Sequence, residues 1–156
     1  MPLQVIKMAN GNFYVKAEGF EELFKELMTM GDKGEKSAKK ALKEGAKVFK
    51  KLAISGVPYS NRNSSKHLRD AIDISPVKMD ETGQPYVSVG TYLGRGKYRN
   101  GVYWGHILEG GHFIVTKSGK TVGYVTGKPY MQPAYEKGQD QATKVISDIV
   151  FAAMGL

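Results

Sequence analysis

Between residues 35 and 54 two stripes run through one segment. Ala38, Leu42, Gly45, Phe49 and Leu52 recur at spacings of three and four, and Lys36, Lys40, Lys43, Lys47 and Lys50 repeat the pattern two residues out of step. At the α-helical period two residues are about 200° of rotation, so a helix puts the lysines on one side and the apolar groups on the other. A strand would mix both sets on both faces. The segment therefore predicts a long amphipathic helix with one side to bury, and the rest of the chain has to supply the cover.

The cover is legible in outline. Phe20, Leu23, Phe24 and Leu27 continue a helical period to Met30, where Gly31 provides a stop. Tyr135, Ala142, Val145, Ile146, Ile149 and Ala153 predict a C-terminal helix that Gly138 weakens early. It is entered through residues 127–136, Gly-Lys-Pro-Tyr-Met-Gln-Pro-Ala-Tyr-Glu. Pro129 fixes an extended approach and Pro133 suits a first helical turn, so the stretch is a rigid strand-to-helix corner.

Strand signals fill the remainder. Residues 3–8 and 13–17 alternate around Asn10-Gly11 and predict a hairpin. Ile72 and Ile74 alternate against Asp73, and residues 86–92 place Val87 and Val89 on one face. Residues 113–116 and 121–126 flank Lys117-Ser118-Gly119-Lys120, a second hairpin turning at Ser118-Gly119. This order predicts an α+β fold, a single domain over residues 1–156 with an antiparallel sheet packed against two or three amphipathic helices. Polar residues 56–66 and the basic, glycine-rich residues 93–102 predict exposed loops.

Size and composition bound the function. A chain of 156 residues buries about 70% of its unfolded surface in one core, which makes one domain the expectation. Apolar residues at 41% and charged residues at 24% exclude wholesale disorder. The net charge of +8 favours anionic partners or neighbours. The absence of cysteine excludes a disulfide framework and thiolate metal sites. The opening residues lack a leader pattern, and no stretch reaches the roughly 18 apolar residues of a membrane span, so no membrane association and a cytoplasmic site of production are expected.

Catalytic patterns are thin. His106, Glu109 and His112 are spaced by three, and on a helix the first two could share a face with a metal. Gly110-Gly111 would break that helix before His112, and the HExxH signature is absent. Gly90, Gly94 and Gly96 match neither the dinucleotide fingerprint nor the P-loop, and no Gly-x-Ser-x-Gly occurs. No catalytic residue, cofactor or metal ligand is assigned. Arg95, Lys97, Tyr98, Arg99, Tyr103 and Trp104 form a basic and aromatic cluster that could clasp phosphates and stack bases, or anchor a loop to a neighbouring subunit.

Six segments occur in one order: Gly19-Phe20-Glu21-Glu22-Leu23, Ala41-Leu42-Lys43-Glu44-Gly45-Ala46, Leu68-Arg69-Asp70-Ala71-Ile72, Val87-Ser88-Val89-Gly90, Ile107-Leu108-Glu109-Gly110-Gly111 and Pro129-Tyr130-Met131-Gln132-Pro133-Ala134. In that order they resemble the small tail-completion, head-to-tail joining or neck proteins of long-tailed bacteriophages and prophages. The resemblance spans roughly residues 19–136. Two departures stand out: Gly110-Gly111-His112 where Gly-Thr is more usual, and a longer insertion at residues 93–101.

The resemblance implies a non-enzymatic virion protein with an α+β fold. It implies assembly into a ring, commonly a hexamer in the particle, which caps the tail tube and docks it to the connector; for the isolated chain, monomer and ring both stay open. Partners are then further copies of the chain, the connector or head-completion protein and the major tail protein, with only nonspecific DNA contact. Its place would be the virion tail or neck, reached from the host cytoplasm during assembly. Docking residues are expected on the two polar segments, at Tyr59, Arg62, Lys66, Arg95, Lys97, Arg99 and Trp104, and contact with DNA or an acidic surface at Lys36, Lys40, Lys43, Lys47 and Lys50. The alternative is a cytoplasmic nucleic-acid-binding module that uses the basic helix face and the basic-aromatic loop.

Overall fold

The computed structural model describes residues 4–7, 13–16, 19–58, 67–91 and 104–156, and within them the fold is α+β. The chain opens with strands β1 (Gln4–Lys7) and β2 (Phe13–Lys16), then helices α1 (Glu21–Thr29) and α2 (Asp32–Gly56). A single helical turn, α3 (Leu68–Ala71), precedes short strands β3 (Asp73–Ile74) and β4 (Lys78–Met79) and the longer β5 (Pro85–Gly90). Helix α4 (Trp104–Gly110), strands β6 (His112–Val115) and β7 (Thr121–Val125), and helix α5 (Met131–Met154) complete it.

The long lysine-bearing helix forms as its periodicity dictates. Ala38, Leu42, Gly45 and Phe49 are buried, Leu52 is half-buried, and the break from α1 falls at Gly31, whose φ of +81° suits glycine. Helix α2 is the hub of the fold, packing on α5, on α1 and on strands β2, β3 and β5. All pairings in the main sheet are antiparallel, in the order β1-β2-β5-β3, with β4 joining the far end of β5. Val15, Val87 and Val89 have no exposed surface.

The α2–α5 contact is set by two glycines. A Cβ on Gly45 would lie 2.6 Å from Ile146 Cδ1, and one on Gly138 would lie 2.8 Å from Leu52 Cδ1 and 3.1 Å from Phe49 Cδ1. Each helix thus offers a notch to a bulky side chain of the other, and the antiparallel pair closes tightly. Gly138, which costs helix propensity locally, returns it as packing. The Lys50 ammonium meets the Asp73 carboxylate at 3.3 Å and ties α2 to β3.

Candidate functional site

Glu109 is buried near the end of α4, and its carboxylate faces the start of α5. One oxygen, Oε2, accepts from the amides of Tyr130 at 2.8 Å and Met131 at 2.9 Å, and Oε1 accepts from Gln132 at 3.0 Å. The first four amides of a helix have no partner within it. Here three reach Glu109, and the fourth position is Pro133, which has no N–H. The negative charge also lies where the helix dipole favours it. Burial first, and the adjacent Glu109 charge second, hold the Tyr130 phenol above the usual tyrosine range.

This explains the acidic member of the His106, Glu109, His112 set. Glu109 is structural, a cap built across sequence, and His112 lies exposed on β6. Among the described residues no group of three or more His, Cys, Asp or Glu could hold a metal ion, and no helix is long and apolar enough to cross a membrane.

Between the two ends that Glu109 joins, the chain projects as the β6–β7 hairpin. Its root is tightly clamped. Gly111 takes a φ of +77° as α4 ends, its amide donating to Ile107 O at 2.8 Å. A Cβ there would meet Tyr124 Oη at 2.4 Å, and one on Gly127 would meet Glu109 O at 2.6 Å. The Lys128 amide donates to Leu108 O at 2.7 Å, and the Tyr124 hydroxyl donates to Gly110 O at 2.9 Å. The unusual Gly110-Gly111-His112 sequence is thus the hinge-free root of an arm. At its tip Thr116 and Lys120 close a three-residue loop with Gly119 at a φ of +82°.

Both faces of the arm carry exposed apolar side chains. Phe113 packs across from Tyr124 with ring centroids 5.0 Å apart and the ring planes tilted by 59°, and Val122 shares their side by the period of two. Ile114 and Val125 point the other way. These residues and Val115 are 43% to 66% exposed. Among the described residues the two strands pair only with each other.

A second surface lies along α2. Lys36, Lys40, Lys43 and Lys47 are exposed as the sequence predicts, and Lys33 and Lys51 extend the line at both ends. Lys50 is half-buried against Asp73 instead. Eighteen residues of helix make the line about 27 Å long. Lys47 pairs with Glu44 at 2.6 Å, and Lys39, at the edge of the line, pairs with Glu35.

Tyr59, Arg62, Lys66, Arg95, Lys97 and Arg99 lie outside the described residues, as does the Asn10-Gly11 turn. Trp104 opens α4. The hairpin surface was missed as a docking site because the sequence shows its strands but not their lack of cover. The available signal was the unbroken apolar run Phe113-Ile114-Val115, which leaves neither face of a strand polar.

A family model, HK97-gp10_like, described as "Bacteriophage HK97-gp10, putative tail-component", matches residues 21–111, more than half of the chain. The match runs from the start of α1 to the glycine at the root of the hairpin. Neither a curated protein nor a solved structure matches the chain.

Proposed function

The chain belongs to the HK97-gp10-like family of bacteriophage tail components, and on that premise we propose that it completes the tail as a ring at the head-tail interface. It caps the tail tube and docks it to the connector. The observation that carries this reading is the clamped hairpin, which holds apolar side chains in water on both faces. Such a surface is costly for a free monomer and serves protein-protein contact. The task is structural: surfaces fit, and no covalent bond is made or broken. The polar segments 59–66 and 93–101 are proposed to meet the connector and the major tail protein, since their residues are suited to hydrogen bonds and ion pairs at an interface rim.

The test is an interruption of the gene in a phage or inducible prophage, followed by electron microscopy of the lysate. Filled heads beside unjoined tails are expected, with joining restored by the gene in trans. Joined, infectious particles in normal number without the protein would overturn the proposal.

The lysine line on α2 favours a second reading, the nucleic-acid-binding module. Regularly spaced cations about 27 Å long can follow a phosphate backbone. Filter binding to duplex DNA across a salt series separates the two. A steep salt slope with a base preference supports the module, and weak retention indifferent to sequence supports the ring.

A further inference from the structure

The exposed large hydrophobic residues among those described are not scattered. Six stand on the β6–β7 hairpin, and Met30, Phe151 and Leu156, which are 55%, 39% and 79% exposed, stand elsewhere together with an isolated Met79. Helix α5 relates the two groups. The hairpin precedes its first turn, where Glu109 caps it, whereas Phe151 lies in its last turn and Leu156 just beyond its C-cap, Gly155. Because α2 runs antiparallel to α5, with Gly56 beside Tyr130 and Gly45 beside Ile146, the α1–α2 corner carrying Met30 belongs to the far end as well. Twenty-four residues of helix separate the groups by about 35 Å.

We infer that the hairpin of one copy docks on the Met30, Phe151 and Leu156 end of the next copy, so that the chain assembles head to tail. Two different patches at opposite ends of a subunit form a heterologous contact, which closes into a ring when the rotation between copies allows. This deepens the ring reading above, and rests on it, by naming the surfaces that make the seam.

Area supports a protein partner of this kind. At roughly 200 Å² for each aromatic and somewhat less for each aliphatic residue, the exposed fractions on the hairpin leave on the order of 600 Å² of surface. That sum, taken over both faces of the hairpin, is the size of the apolar patches that mark contact sites on monomers, and a specific interface buries about 800 Å² per partner. The hairpin tip carries Lys117 and Lys120, and the receiving end presents both signs, with exposed Glu22, Glu26 and Asp148 set among exposed Lys25, Lys33 and Lys144. The lysine face of α2 would repel a second lysine face, which disfavours a symmetric contact through α2 and leaves the head-to-tail arrangement.

The sequence contains no cysteine, so introduced thiols report the contact without background. Val122→Cys and Leu156→Cys both change exposed residues. The full-length double variant, treated with a short bis-maleimide linker, is expected to give a ladder of covalent oligomers on a denaturing gel. The two single variants mixed together should give a dimer and nothing larger. Adding Phe113→Asp should weaken the ladder at least tenfold.

A dimer from Val122→Cys alone would show symmetric pairing of hairpins and overturn the inference. So would a double variant that stays monomeric up to its highest soluble concentration. Failure here and failure of the proposed function are separable. No ladder with unjoined heads in the gene interruption removes this seam and keeps the joint, while a ladder with normal particles does the reverse.

Discussion

Glu109 shows how one side chain can decide the placement of an element. Replacing it with alanine leaves the amides of Tyr130, Met131 and Gln132 without their acceptor in a largely buried place. Loss of a helix cap together with charge-assisted hydrogen bonds costs about 2–4 kcal/mol. At about 2–4 °C per kcal/mol for a chain of this size, Glu109→Ala should melt roughly 5–15 °C below the parent by circular dichroism, with Glu109→Gln between them. A melt within a degree of the parent would refute the cap. Tyr130 beside it gives a prediction in pH. Its folded value is raised, so it favours folding below the usual tyrosine value near 10, and that contribution is lost as pH rises beyond it. Tyr130→Phe should therefore lose less stability than the parent between pH 9 and 11, as read by urea melts across about that interval. The prolines of this corner were legible because they act locally. Glu109 was not, since it reaches a helix 21 residues downstream, across a hairpin. The sequence contained one hint: amides 130–132 precede a proline and had to find an acceptor outside the helix.

At the scale of elements, legibility followed length. Helix α2 repeats its period often enough to be read within a few residues of its ends, whereas α3 is one turn and β4 two residues, too short for any period to show. Of the alternating stretch around Ile72 and Ile74 only Asp73–Ile74 form the strand that pairs with β5, and residues 68–71 before it form α3. Gly138 was read as a weakness because propensity is a local quantity, and its use depends on Phe49 and Leu52 from another helix. Substitution tests which effect wins. Gly138→Leu overfills the notch and should cost about 1–3 kcal/mol despite its better helix propensity. Chemical denaturation checks this, and a more stable variant would mean that the two helices do not approach as closely as the fold requires.

The whole molecule divides its labour along α5. One end is tightly held, with Glu109, Gly111 and Gly127 fixing the arm's direction, so the proposed docking would require little order to be gained. The hairpin strands contribute no side chain to the buried core, which is made by α1, α2, α5 and the main sheet. Stability and assembly should consequently separate. Deleting residues 112–126, which joins Gly111 to Gly127 where their backbones already touch, should leave helix content unchanged and shift the melting temperature by no more than about 3 °C, the equivalent of roughly 1 kcal/mol. The same deletion in a phage should yield heads and tails that do not join. A chain that unfolds on losing the arm would make the hairpin part of the core. A chain that folds and still joins heads to tails would leave the exposed apolar residues without a role, and the family's function would have to reside in the α1 to α4 segment alone.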